Sequence, residues 1–259
     1  MEKKKGISGS TLKMIAIVTM LIDHIGAAVL ARLLMVNGLG ELDQTNTDAI
    51  MQWLSANEAL YWTYTIMRMI GRVAFPIFCF LLVEGFLHTH DVKKYAMRLG
   101  LFALLSEIPF DLAFSSKILE FNYQNVFFTL FIGLLTMIAY RAVEEKEEWG
   151  QAWKVILYIL IVAAGMALAY FLKTDYAEKG VFCIMVLYIF RKKKMWQIIA
   201  GCASFIWEAP ALFGFIPIAF YNGTRGLKMK YFFYIFYPAH LLILYLLCYF
   251  MGISGYSAV

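Results

Sequence analysis

The chain has 259 residues, 62% of them hydrophobic and only 16% charged, with a mean hydropathy of +0.69. Soluble domains carry nearer a quarter charged residues and rarely sustain several apolar stretches of spanning length, so a water-soluble globule is excluded. The net charge of +5 lies in short Lys and Arg clusters between apolar stretches, where it sets topology and gives no sign of a nucleic-acid partner.

The pattern predicts an all-α polytopic transmembrane bundle of about eight or nine spans, forming a single integral membrane domain over residues 1–259. The first segment, residues 12–36, comes after Lys3, Lys4 and Lys5, which hold its start in the cytoplasm; with no small-residue cleavage site it reads as a retained anchor in the inner (cytoplasmic) membrane. Within it stand Asp23 and His24. An ionisable residue at the bilayer centre costs about 2.5–3.5 kcal/mol on insertion scales, so it faces a protein interior or a wet cavity and marks a candidate site. Ala16, Thr19, Asp23 and Gly26 form a small, polar stripe suited to close helix packing. His24 projects about 100° from Asp23, so the two can line two walls of one cavity. The alternative is an interhelical hydrogen-bonded pair that only holds the bundle.

Residues 37–60 carry acids and no Lys or Arg, as an outside loop would, with Trp53 and Trp62 as interface anchors. The second segment, residues 61–86, contains Arg68, Arg72, Pro76 and Glu84. Pro76 lacks a donor and frees the carbonyl of Arg72, which predicts a kink beside a guanidinium and hence a polar cavity. Arg68 and Arg72 could bind an anion or neutralise Glu107 and Asp111; Glu84 could pair with Lys93 or Lys94. The third segment, residues 95–114, carries the i,i+4 carboxylates Glu107 and Asp111 with Pro109 interrupting the backbone ladder between them. In the fourth, residues 125–140, Asn125, Thr129, Gly133 and Thr136 form a packing stripe, with Asn125 near the level of those carboxylates. A charged cytoplasmic loop then occupies residues 141–154.

Segments five (152–172) and six (176–190) have almost no ionisable groups in their middles and read as scaffold. Residues 195–220 favour two short or re-entrant pieces broken near Glu208-Ala209-Pro210, because one long span would put Arg225, Lys228 and Lys230 outside. Asn222-Gly223 specifies a tight turn, and the last segment, residues 231–251, carries Pro238 and His240. The histidine is either a satisfied core residue or part of a cavity. The four cysteines are scattered in apolar segments without metal-ligand spacing, and no metal is expected.

Several blocks in order resemble the TraX family. They are Met20-Leu21-Ile22-Asp23-His24-Ile25-Gly26, Gly71-Arg72-Val73-Ala74-Phe75-Pro76, Ser106-Glu107-Ile108-Pro109-Phe110, Tyr221-Asn222-Gly223 with Arg225-Gly226, and Tyr237-Pro238-Ala239-His240. The family's namesake is associated with acetylation of conjugative pilin, and the family is similar to wider transmembrane acyltransferases. The resemblance implies transfer of an acyl group, acetyl above all, from cytosolic acetyl-CoA or another acyl-CoA to an amine or hydroxyl of an unknown surface protein, glycan or lipid. In that reading His24 is the general base, Asp23 orients a neighbouring group and Arg72 faces the thioester oxygen or a cofactor phosphate. Glu107, Asp111, Asn125 and His240 contact the acceptor, and Arg225, Lys228 and Asn222 hold the cofactor, with Lys230 as a further cation. The competing readings are a proton-coupled transporter and a non-catalytic assembly factor for a surface structure.

Overall fold

A computed structural model describes residues 5–43, 45–228 and 230–257. Among the described residues the regular structure is helical apart from two isolated bridges, Ile7 to Tyr221 and Gln124 to Thr174. Ser8 caps the first helix, α1 (Gly9–Ile25), by accepting from the Thr11 amide. A π-helical turn (Gly26–Leu30) joins α1 to α2 (Ala31–Val36). Such a turn shifts the faces of α2 relative to those of α1, and it comes directly after Asp23-His24. The acidic loop contains a helix absent from the expectation, α3 (Thr47–Ala56), capped by Asn46.

The expected kink in the second segment is an interruption of two residues whose dihedrals stay in the right-handed helical region. α4 (Glu58–Gly71) ends, Arg72 and Val73 lie outside regular helix, and α5 (Ala74–His88) begins with Pro76 in its first turn. The helix α6 (Val92–Ser115) runs through Pro109 without stopping, so that proline does not divide Glu107 from Asp111. Next come α7 (Val126–Glu144), α8 (Gln151–Phe171) and α9 (Ala177–Ile189). The charged connection is shorter than expected, because α7 runs on to Glu144, whose carboxylate pairs with Arg191 at 2.8 Å.

Residues 195–220 do not form a span. They fold as α10 (Lys194–Ser204), a 3₁₀ turn (Ala209–Gly214) and α11 (Phe215–Ala219). Lys194 Nζ donates to the Tyr221 carbonyl at 2.7 Å, so this excursion returns to the level where it started. α12 (Lys230–Phe250) closes the bundle.

Among the described residues, five stretches are long and apolar enough to cross a bilayer: Gly9–Val36, Glu58–His88, Val126–Glu144, Gln151–Phe171 and Phe232–Phe250. The expected eight or nine is not reached by that measure. α6 runs beside them with five charged residues, α9 has 13 residues, and the 195–220 region is re-entrant.

The small-residue stripes do what their spacing predicts. A methyl group on Gly26 would lie 3.3 Å from Met67 of α4, one on Gly133 would strike Ile184 of α9, and one on Gly165 of α8 would strike Thr136. Small faces bring helix axes together in lipid, where dispersion and hydrogen bonding replace the hydrophobic effect between helices.

Candidate functional site

His24 and His240 are 216 residues apart and in contact. His24 Nδ1 lies 2.6 Å from His240 Nε2, with the two rings within 5° of parallel and their centroids 4.9 Å apart. His240 Nδ1 lies 2.8 Å from the Phe236 carbonyl. Phe114 of α6 and Tyr237 of α12 meet the His24 ring edge-on at 5.5 and 5.9 Å. Asp23 turns the other way. Its Oδ2 accepts from Arg68 Nη1 at 2.8 Å, and Oδ1 is buried with no hydrogen-bond partner among the described residues. This approach needs Gly71, since a Cβ there would fall 2.1 Å from Asp23 Cβ.

Arg72 occupies the break between α4 and α5. Its Nε lies 3.0 Å from Glu208 Oε1, and its side chain lines the same cavity as Tyr176. The 3₁₀ turn after Glu208 is pressed against the same break: a Cβ on Gly214 would meet Pro76 and the Val73 carbonyl at 2.6 and 2.8 Å. Proline at the start of α5 and glycine in the turn thus let the re-entrant piece deliver an acid to Arg72.

Asp23, His24, Arg68, Arg72, Asp175 and Tyr176 line one cavity of about 100 Å³. Asp175 and Tyr176 arrive on the α8–α9 connection. That loop is fixed by the Gln124 amide donating to the Lys173 carbonyl at 3.0 Å and the Asp175 amide donating to the Gln124 carbonyl at 2.8 Å. Tyr123 Oη donates to Asp175 Oδ1 at 2.8 Å. Burial pushes the Asp175 carboxyl up to about 6; burial first, and then the Asp175 charge, pushes the Tyr123 phenol above its ordinary value. Tyr176 and Ala177 hold φ of 64° and 41°, a region that costs a non-glycine residue on the order of 1–3 kcal/mol and clusters at functional sites. Phe75 stacks on Tyr176 at 3.6 Å and supports that geometry.

A second, larger cavity of about 540 Å³ opens toward the end of the bundle that carries Gly9 and His88. Its lining is apolar inside and carries Lys13, Arg98 and Arg225, with Glu84 as its acid. The Arg98 Nε is buried without a hydrogen-bond partner among the described residues. Met20, Phe78 and Val126 belong to the walls of both cavities, which therefore stand back to back across a thin partition.

The family model described as TraX protein matches residues 8–248. The chain belongs to the TraX family. It is also similar to a Dichelobacter nodosus protein named probable fimbrial assembly protein FimC, serogroup H1, at 26% identity over 269 residues, covering 94% of this chain and 97% of that protein. No solved structure matches.

On this TraX-family chain the sequence-predicted residues divide into three groups. Asp23, His24 and Arg72 converge on the small cavity, and His240 supports it from behind through His24. Glu107, Asp111 and Asn125 cluster elsewhere. Asn125 caps α7 by accepting from the Phe127 amide at 3.0 Å and donates from Nδ2 to Glu107 Oε2 and the Ala103 carbonyl. Asp111 accepts from the Glu120 amide at 2.8 Å. None of the three lines the cavity; they shape the α6–α7 connection that positions Tyr123. Of the cofactor group, Arg225 lines the large cavity. Asn222 instead accepts from the Thr224 amide at 3.0 Å to hold its turn, and Lys228 is exposed. The side chain of Lys230, like Lys3 and Lys4, lies outside the described residues.

Two expected pairings are replaced. Arg68 and Arg72 neutralise Asp23 and Glu208, not Glu107 and Asp111. Glu84 lines the large cavity with Tyr221 and lies 3.9 Å from His88 Nδ1, while Lys94 pairs with Asp91 at 3.2 Å. Asp175, Tyr176, Tyr123 and Glu208 were missed because each lies at an element boundary, where helical periodicity carries no information.

Proposed function

We propose that this TraX-family membrane protein is an acyltransferase that moves an acyl group, acetyl in the simplest case, from cytosolic acyl-CoA to an amine or hydroxyl of an exported or surface acceptor. The observation that carries this reading is the pair of back-to-back cavities sharing Met20, Phe78 and Val126, with His24 on the wall of the smaller one, a single turn beyond Met20. Tyr237 lines the larger cavity and touches the His24 ring from the other side of the partition.

The larger cavity suits a phosphorylated thioester, with cations Lys13, Arg98 and Arg225 for phosphate groups and an apolar interior for the acyl arm. The Lys and Arg clusters at that end support a cytosolic mouth for this cavity in a protein of the inner membrane. His24 Nε2 takes the proton of the acceptor as its nitrogen or oxygen bonds to the thioester carbonyl carbon; the carbon–sulfur bond then breaks and the thiolate leaves with a proton. Arg72 and Tyr176 offer donors to the developing oxyanion. Asp23 accepts from Arg68 at 2.8 Å and keeps that guanidinium fixed on the wall of the small cavity.

Purified protein should release free thiol from acetyl-CoA in the presence of a peptide or glycan acceptor, with a rate falling in acid as the imidazole protonates. His24→Ala should cut that rate by about 10²-fold or more at unchanged membrane insertion. Arg98→Gln should raise KM for acetyl-CoA several-fold with little change in kcat. The assembly-factor reading, which the name of the Dichelobacter relative favours, predicts no thiol release and full tolerance of His24→Ala in assays of surface-fibre formation. Either result would sink the acyl-transfer reading.

A further inference from the structure

We infer that His240 is a positioning residue that locks His24 in its Nδ1–H tautomer and so leaves Nε2 bare on the side of the small cavity. The catalytic consequence rests on the acyl-transfer reading, whereas the tautomer rests on geometry alone. The Phe236 carbonyl has no proton to give, so His240 Nδ1, 2.8 Å away, is the donor of that bond. A neutral imidazole carries one N–H, so His240 Nε2 can only accept. The 2.6 Å contact then requires His24 Nδ1 to donate. Coplanar rings with centroids 4.9 Å apart place that contact edge to edge, in the plane along which an imidazole N–H points.

The proton on His24 is therefore assigned by a chain that begins at a backbone carbonyl on α12. The hydrogen bond of His24 uses Nδ1, which leaves Nε2 free among the described residues, and the side chain lines the small cavity. When Nε2 takes a proton, the imidazolium donates through the same Nδ1–H···Nε2 bond, now charge-assisted and about twice as strong as its neutral form. No proton leaves the pair, so the bond both selects the basic nitrogen and steadies the charged ring. The ring of Phe236 stacks on His240 at 4.8 Å and limits its rotation. Four histidines in the chain make the measurement tractable.

The test is ¹⁵N NMR of full-length protein carrying labelled histidine, with His24 signals assigned through His24→Ala. The expected wild-type spectrum shows His24 protonated at Nδ1 and unprotonated at Nε2. His240→Gln retains an acceptor near the Nε2 position and should keep that pattern. His240→Leu should convert His24 to a mixture of tautomers while the signals of His88 and His90 stay put. Protonation of wild-type His24 at Nε2, or an unchanged His24 tautomer in His240→Leu, overturns the proposal. If His240→Leu does not fold, the wild-type tautomer decides alone. In the thiol-release assay His240→Leu should lower kcat on the order of 10-fold or more without raising KM for acetyl-CoA, and His240→Gln should recover much of it. A wild-type protein that releases no thiol removes the acyl-transfer reading and leaves the tautomer measurement standing.

Discussion

Gly71 shows how much a single hydrogen atom contributes at this site. A Cβ there would sit 2.1–2.3 Å from three Asp23 side-chain atoms, none of which can yield without breaking the 2.8 Å bond to Arg68. Overpacking of this kind typically costs about 1–3 kcal/mol. Gly71→Ala should therefore lower the melting temperature in detergent by several degrees and reduce thiol release along with it. Gly150→Ala, where nothing lies within 4 Å of the added carbon, should leave both unchanged. The close approach was visible in sequence from only one side. The stripe of Ala16, Thr19, Asp23 and Gly26 announced a packed face, but its partner is a helix whose own contribution is one glycine at the end of α4, which no periodicity singles out. For the same reason Asp23 and His24 were legible as a pair, with His240 as a candidate partner that the 2.6 Å contact bears out, while the pairing of Asp23 with Arg68 was not.

At the scale of elements, the helices were legible wherever apolar runs are long, and their interruptions were legible only where proline announced them. Pro76 marked the α4–α5 break, whereas Pro109 marked nothing, because the missing donor is tolerated inside an otherwise continuous helix. Arg32 gave no warning at all. It lies at the end of an apolar run and is fully buried, with no carboxylate partner among the described residues. Its guanidinium donates to the Ala28 and Tyr256 carbonyls at 2.8 Å, to the Ala113 carbonyl, and to Ser116 Oγ at 2.9 Å. The α6 carbonyls it meets belong to the negative end of that helix, which compensates a buried cation. Arg32 thus ties α2, the end of α6 and the tail after α12 into one corner. Arg32→Met leaves those carbonyls unpaired, at about 1–3 kcal/mol each. The expected result is loosening of the tail and faster maleimide labelling of Cys248, which is fully buried and 3.9 Å from Arg32. Unchanged labelling would mean that the corner is held by packing and not by the guanidinium.

For the whole molecule, the decisive element is the one that fails to cross. The return of the 195–220 region to its starting level places Glu208 beside Arg72 and leaves the Tyr221–Leu227 segment at the start of α1, where the Thr224 and Arg225 carbonyls accept from the Gly9 and Ser10 amides at 2.7 and 2.9 Å. A crossing would carry Arg225 away from Lys13 and Arg98 and dismantle the large cavity. It would also reverse α12 and separate His240 from His24. Both halves of the proposed reaction therefore depend on one re-entrant turn. Cysteines at Lys193 and Lys228, which are exposed on either side of this region, should label with an impermeant thiol reagent from the same face of the membrane. A cysteine at Tyr256, close to Arg32 at the far end of the bundle, should label from the opposite face. The background should be Cys202→Ala, since the other three native cysteines are buried. With basic clusters held inside, intact cells should show the Tyr256 position labelled and the other two protected until the membrane is opened. Labelling of the Lys228 and Tyr256 positions from one face would make the 195–220 region a true span. The two cavities would then no longer share a partition within one chain, and His24 would lose the partner that defines its proton.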